Sequence, residues 1–237
     1  MVRASVGIVV FLLAAIAAVM FTGVLEVRDV RTSDIPDTLA QRVSAITGSW
    51  LDERELLIRR GSILVLARPA LLTQRIAAEV PELMNIEVTV DAPHALIITA
   101  EIRVPEGIWC HGDACRFWDR TATFWGSTVP SVGPLLMLVR DDRTDEEEIH
   151  ELFTGILATL DGLEPLGLSA KYVVIPDAEP GGIRIPTNRG WDLLIDTAND
   201  IGDQLRTLDV LLADKASDSS FSPLYIDLRT PGRVYYR

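Results

Sequence analysis

The sequence predicts an α+β protein: one apolar amino-terminal segment, then two folded units. Three observations carry this. Residues 6–21 hold no charge; residues 25–103 read as strand, helix, helix, strand, strand; and residues 104–237 are strand-rich around one or two amphipathic helices. With 237 residues the chain is long enough to bury a core without staples.

In "VGIVVFLLAAIAAVMF" and its flanks, Ser5 to Val24, about 20 apolar residues would make roughly 30 Å of helix, enough to cross a bilayer. The expectation is therefore a membrane anchor at residues 5–24 behind a short cytoplasmic tail, residues 1–4. The competing reading is a cleaved signal peptide, with Arg3 as its positive start and Ala15-Ile16-Ala17 as its cleavage pattern. Arginines flank the segment on both sides (Arg3 before it, Arg28 and Arg31 after it), so the positive-inside rule alone does not orient it. A tail of a few residues leaves all the folded mass beyond the membrane.

After the anchor, "VLEVRDV" alternates as a first strand. In "IPDTLAQRVSAITG" Leu39, Val43 and Ile46 share a helical face, Pro36 suits the start and Gly48 the stop. "LLIRRGSILVLA" has no clear period, which leaves residues 57–67 open between a short strand and a helical extension. A second helix is predicted in "RPALLTQRIAAEVP", opened by Pro69, striped by Leu72, Ile76 and Val80, and ended by Pro81. "NIEVTVDAPHALIITAEI" alternates on both sides of a turn at Asp91 to His94, as a hairpin with one buried face does.

In the second unit, "WCHGDACRFWD" reads as a hairpin with Gly112 at its tip. Cys110 and Cys115 are expected to close it as a disulfide in an oxidising compartment. The spacing is wrong for a redox-active pair, and a zinc site with His111 or Asp113 would lack its second pair of ligands. Thr144 and Glu147 form a capping box before "EEEIHELFTGILATL", whose Ile149, Leu152, Phe153, Ile156, Leu157 and Leu160 make an apolar stripe. The acids from Asp141 to Glu148, with His150 nearby, suit a helix's first turn better than a metal. Strands follow at "KYVVIP", "GIRIPT" and "WDLLID", then a helix with Leu205, Leu208, Leu211 and Leu212, then the closing runs "PLYIDLR" and "RVYYR".

Charge and motifs exclude several functions. Net charge is -12, and Lys171 and Lys215 are the only lysines among 22 basic residues, so no basic tract could neutralise phosphates and nucleic acid is not an expected partner. His94, His111 and His150 sit in no nucleophile elbow, zinc-protease helix or phosphate loop. Asp227 is a conceivable catalytic carboxylate, but Arg229 lies two residues away on the same strand face, and an ion pair is the commoner arrangement. The reading is a binding protein, not an enzyme, with no cofactor, metal or small-molecule substrate.

The order of segments, with "VPELMNIEVTVDAPHALIITAEIRVPEGIW" and "LYIDLRTPGRVYYR", resembles the bacterial cell-division family FtsQ/DivIB over nearly the whole chain. The resemblance implies a POTRA-like βααββ domain at residues 25–103 and an FtsQ-type β domain at residues 104–237. It implies a single-pass plasma-membrane scaffold at the division septum, with its amino terminus in the cytoplasm, binding FtsB/FtsL-like single-span partners. Three features depart from the family. The cytoplasmic tail is shorter than usual, the cysteine pair is not general, and "RTATFW" has Ala122 where the family tends to place glycine, which implies a turn built differently.

The resemblance implies docking through the last strand, at Val234, Tyr235, Tyr236 and Arg237. Physically, a strand edge there offers unpaired backbone groups, and tyrosine supplies contact area at low entropic cost. The bland alternative is that the tyrosines finish the sheet and pack on the preceding helix. Rival functions are another POTRA-type envelope assembly protein or a secreted hydrolase.

Overall fold

The structure, a computed structural model, describes residues 26–55, 58–60, 68–91, 94–130, 136–144, 149–177 and 182–237. The predicted anchor at 5–24, Glu147 of the capping box and most of the open stretch at 57–67 lie outside them. No helix among the described residues is long and apolar enough to cross a membrane. The chain is α+β and divides into two compact units, Met1–Arg103 and Val104–Arg237.

In the first unit the elements are β1 (Asp29–Ser33), α1 (Asp37–Asp52), a small hairpin of β2 (Arg54–Glu55) and β3 (Ile58–Arg59), α2 (Pro69–Glu79), β4 (Leu83–Asp91) and β5 (Ala95–Ile102). The three-stranded sheet has the order β1-β5-β4, with β5 parallel to β1 and antiparallel to β4. Apolar residues at helical spacing on α1 (Val43, Trp50, Leu51) and α2 (Leu72, Ile76) meet alternate residues of β5 (Leu96, Ile98, Ala100) in one core.

Two boundaries differ from the sequence reading. The first strand starts at Asp29 instead of Val24, stitched to the β4–β5 turn by the Arg28 and Asp29 N–H groups, which both donate to the His94 carbonyl. Helix α1 runs through Gly48 to Asp52, because Trp50 and Leu51 continue the buried stripe and outweigh glycine's cost of roughly 1 kcal/mol. Past its end the Arg60 guanidinium stacks 3.8 Å over the Trp50 ring and pairs with Glu53, which fixes the small β2–β3 hairpin between the two helices.

In the second unit the elements are β6 (Gly107–His111), β7 (Ala114–Trp118), β8 (Phe124–Thr128), β9 (Met137–Asp141), α3 (Ile149–Leu163), β10 (Val173–Ile175), β11 (Gly182–Pro186), β12 (Asp192–Asp196), α4 (Ile201–Lys215), β13 (Tyr225–Asp227) and β14 (Tyr235–Tyr236). They form a nine-stranded mixed sheet ordered β14-β13-β12-β11-β10-β9-β6-β7-β8. Its main core joins Leu152, Phe153 and Ile156 of α3 and Leu208 and Leu211 of α4 to Val139, Ile185, Leu193, Ile195 and Ile226 of the strands. The alternate residues Ile108, Cys110, Cys115 and Leu138 form a second, smaller apolar cluster.

The β7–β8 turn is the place where Ala122 departs from the family resemblance. The buried Asp119 carboxylate accepts the Thr121 and Thr123 N–H groups and the Thr121 hydroxyl, and Ala122 takes φ +59°, the left-handed conformation that glycine adopts at least cost. Gly107 is needed for a different reason. A Cβ there would strike the Met137 carbonyl and sit 2.5 Å from the Trp118 ring.

Ala122→Gly is therefore expected to raise the unfolding free energy by about 0.5–1 kcal/mol, the relief of left-handed strain less the added chain entropy. Gly107→Ala should lower it by about 2 kcal/mol or more, because the obstructing atom is backbone. Urea midpoints of the two variants check both signs.

Candidate functional site

The sequence reading placed the functional residues on the last strand, and the structure makes that strand one border of the large sheet. β13 inserts Ile226 into the core beside β12, parallel to it. The chain then reverses through residues 228–234, with Gly232 at φ +68°, and returns as β14 antiparallel to β13, with Ile226 opposite Tyr236 and Asp227 opposite Tyr235.

Two polar contacts hold this reversal. The Arg229 guanidinium donates to both oxygens of Asp227, at 2.9 and 2.7 Å, and the Arg229 N–H donates to the same carboxylate at 3.1 Å. From the β12–α4 turn, the Asn199 amide donates to the Arg229 carbonyl at 3.3 Å and to Asp196 at 2.7 Å. Asp227 is thus committed to a structural fork. The Arg229 hydrogen bond holds its carboxyl below the usual carboxylate range, against the opposing effect of partial burial.

The outer border of β14 follows from its inner one. The Arg237 N–H donates to the Tyr225 carbonyl and the Leu224 N–H to the Arg237 carbonyl, so Arg237 and, two residues back, Tyr235 turn their backbone groups toward β13. The backbone groups of Tyr236 and Val234 then point away from the sheet, and no strand among the described residues lies beyond β14. Tyr235 and Tyr236 project to opposite faces and are 48% and 46% exposed. Tyr236 meets Phe221 edge-to-face at 5.4 Å, while Val234 is half-buried against the core and faces α4.

The four residues singled out from sequence therefore sit together but differ in role. Tyr236 offers free backbone and an exposed ring, Tyr235 an exposed ring alone, Val234 an anchor, and Arg237 the last rung of the ladder. The opposite border of the sheet is unlike this one. Between β7 and β8 the register shifts after Cys115, and Gly126 stands at φ +63°, an irregularity of the kind that protects an edge from further pairing.

Sequence reasoning missed a trough of about 600 Å³ beside β14, lined by Val210 and Leu211 of α4 together with Val234 and Gly232. The signal was present. Val210 is apolar yet falls off the Leu205-Leu208-Leu211-Leu212 stripe, and it is 70% exposed.

Elsewhere the candidate groups have structural surroundings. Cys110 and Cys115 are directly opposed across β6 and β7 and form a disulfide with Cα atoms 4.1 Å apart. His94 Nδ1 lies 3.0 Å from the Glu26 carbonyl, within the turn that aligns β1. Among the described residues no three His, Cys, Asp or Glu side chains gather as metal ligands would. The side chain of His150 lies outside the description, while His111 ends β6 and Asp113 sits in the disulfide hairpin's turn.

No protein-family model matches this chain, and no curated protein sequence matches it. The functional reading therefore rests on the fold, on the border geometry and on the sequence resemblance.

The depressed Asp227 gives a pH prediction. Its stabilising contribution is complete above the unfolded carboxylate value of about 4 and is lost as pH falls through its lower folded value. Wild type should accordingly lose more stability than Asp227→Asn on going from neutral pH into the acid range. Urea unfolding of both proteins over that range checks the sign.

Proposed function

We propose that this chain is a non-enzymatic, single-pass membrane scaffold of the bacterial cell-division machinery, docking single-span FtsB/FtsL-like partners along β14. The observation that carries the reading is the open border at Tyr236 and Val234, whose outward backbone groups have no strand beside them among the described residues. Strand addition satisfies such groups at once and gains affinity from main-chain hydrogen bonds, while exposed tyrosines on both faces flank the added strand.

Three further features support it. The element order of both units agrees with the FtsQ/DivIB resemblance, allowing for the small β2–β3 hairpin between the helices of the first. The Cys110–Cys115 disulfide suits an extracytoplasmic location, which the apolar segment at 5–24 would provide as an anchor with the amino terminus inside. The carboxylate that could have suggested catalysis, Asp227, is already held by Arg229.

The test is in-cell photocrosslinking from a reactive amino acid at Tyr235 of the full chain, paired with the variant Tyr236→Pro. Proline at 236 removes an outward N–H and leaves the β13–β14 rungs intact. Capture of a small single-span coiled-coil protein from position 235, lost in Tyr236→Pro at equal membrane abundance, is the expected result. Unchanged capture in Tyr236→Pro, or no capture from a stable membrane-inserted protein, would overturn the docking role of β14.

A further inference from the structure

The two exposed tyrosines of β14 are not equivalent. Tyr236 meets the Phe221 ring edge-to-face, with centroids 5.4 Å apart and planes at 78°, whereas Tyr235 makes no such ring contact among the described residues. Tyr236 still stays 46% exposed, so part of its ring is held and the rest is open.

Phe221 is itself placed by local geometry. It lies in the connection from α4 to β13, where the Asp218 N–H donates to the Lys215 carbonyl at 2.9 Å and the Phe221 N–H to the Asp218 carbonyl at 3.1 Å. Between them the Asp218 carboxylate accepts the Ser220 N–H at 2.9 Å and the Ser220 hydroxyl at 2.6 Å, a turn that aspartate forms with the residue two ahead. Two residues on, the buried Pro223 restricts the chain before β13. The half-buried Phe221 side chain packs against the main core of the second unit, which gives Tyr236 a seat anchored beyond β14 itself.

A border strand of two residues does not orient such a ring through its backbone alone. The rung to Ile226 fixes where the side chain leaves the strand, but χ1 and χ2 at a half-exposed site can sample several staggered states. Freezing one such side chain on association weakens binding about two- to tenfold. A ring already set by Phe221 has lost that freedom in the unbound protein, and aromatic pairs of this geometry are favourable beyond the area they bury.

We propose that Phe221 is a positioning residue for docking on β14, setting the Tyr236 ring in its binding orientation before the partner arrives. The inference rests on the docking reading of β14 and adds to it a residue, outside the border strand, that acts through that ring. It also divides the two tyrosines, with Tyr236 as the pre-ordered contact and Tyr235 as the adaptable one.

The experiment repeats photocrosslinking from position 235 of the full chain at graded expression levels and reads the level that gives half-maximal capture of the single-span protein. Phe221→Leu keeps an apolar side chain on the core and removes the ring, and it is expected to raise that level about two- to tenfold. Phe221→Tyr, which keeps the ring, should match wild type. In a Tyr236→Ala background, where the outward backbone remains, Phe221→Leu should change nothing further. In the free chain in detergent micelles, NMR of isotope-labelled tyrosine should show Tyr236 moving to rotamer-averaged values in Phe221→Leu while the Ile226 methyl signals stay in place.

Equal loss of capture on Phe221→Leu with and without the Tyr236 ring would make Phe221 purely structural and overturn the inference, as would wild-type capture by Phe221→Leu. Either result leaves the border pairing standing. No capture from any of these chains would overturn the docking reading, and this inference with it.

Discussion

Every strand in a sheet has two sides of backbone donors and acceptors, and the outermost strands must leave one side without a strand partner. In the larger unit of this chain that constraint falls on β8 and β14. The two borders meet it differently. β8 has a register irregularity and a left-handed glycine. β14 is regular, short and flanked by the exposed rings of Tyr235 and Tyr236. A short border strand would drift unless something held it, and the Asp227–Arg229 fork and the Asn199 contact to the Arg229 carbonyl do so from the turn that precedes it. The outward groups of Tyr236 and Val234 are thereby presented in a fixed direction, which lowers the ordering cost of adding a strand.

The packing of α4 completes the site. Its buried stripe, Leu208 and Leu211 with Gln204, sits against the sheet, and the Gln204 side chain bridges the N–H and carbonyl of Asp196 at the end of β12. That seating aligns α4 with the strands behind β14 and leaves Val210 uncovered at its outer side. The trough is therefore a consequence of a helix anchored to β12 while the sheet continues outward to β14. The open border at β14 and the groove beside it arise from one packing decision.

Much of this was legible in the sequence. The stripe of α3, the alternation of β4 and β5, the opposed cysteines and the pairing of Asp227 with Arg229 each follow from local periodicity or spacing, and each stands in the structure. The boundaries that shifted did so for tertiary reasons. Gly48 would end an isolated helix, but Trp50 and Leu51 are worth more buried than the glycine costs. The first strand begins at Asp29 because its partner β5 begins at Ala95, a register that no local pattern encodes. The trough needed the relative placement of α4 and β14, elements twenty residues apart in sequence, and only the misplaced valine at 210 hinted at it.

The central claim is that the Tyr236 backbone is open in the isolated protein and paired in the assembled complex. Residue-resolved amide hydrogen exchange measures this directly, with the full chain in membranes alone and with membranes from cells in which its partners are present. Fast exchange at Tyr236 in the isolated protein, beside a slower Ile226, followed by strong slowing at Tyr236 in the complex, is the expected result. A Tyr236 amide already protected in isolation, or one that exchanges equally fast in both samples, would contradict the claim.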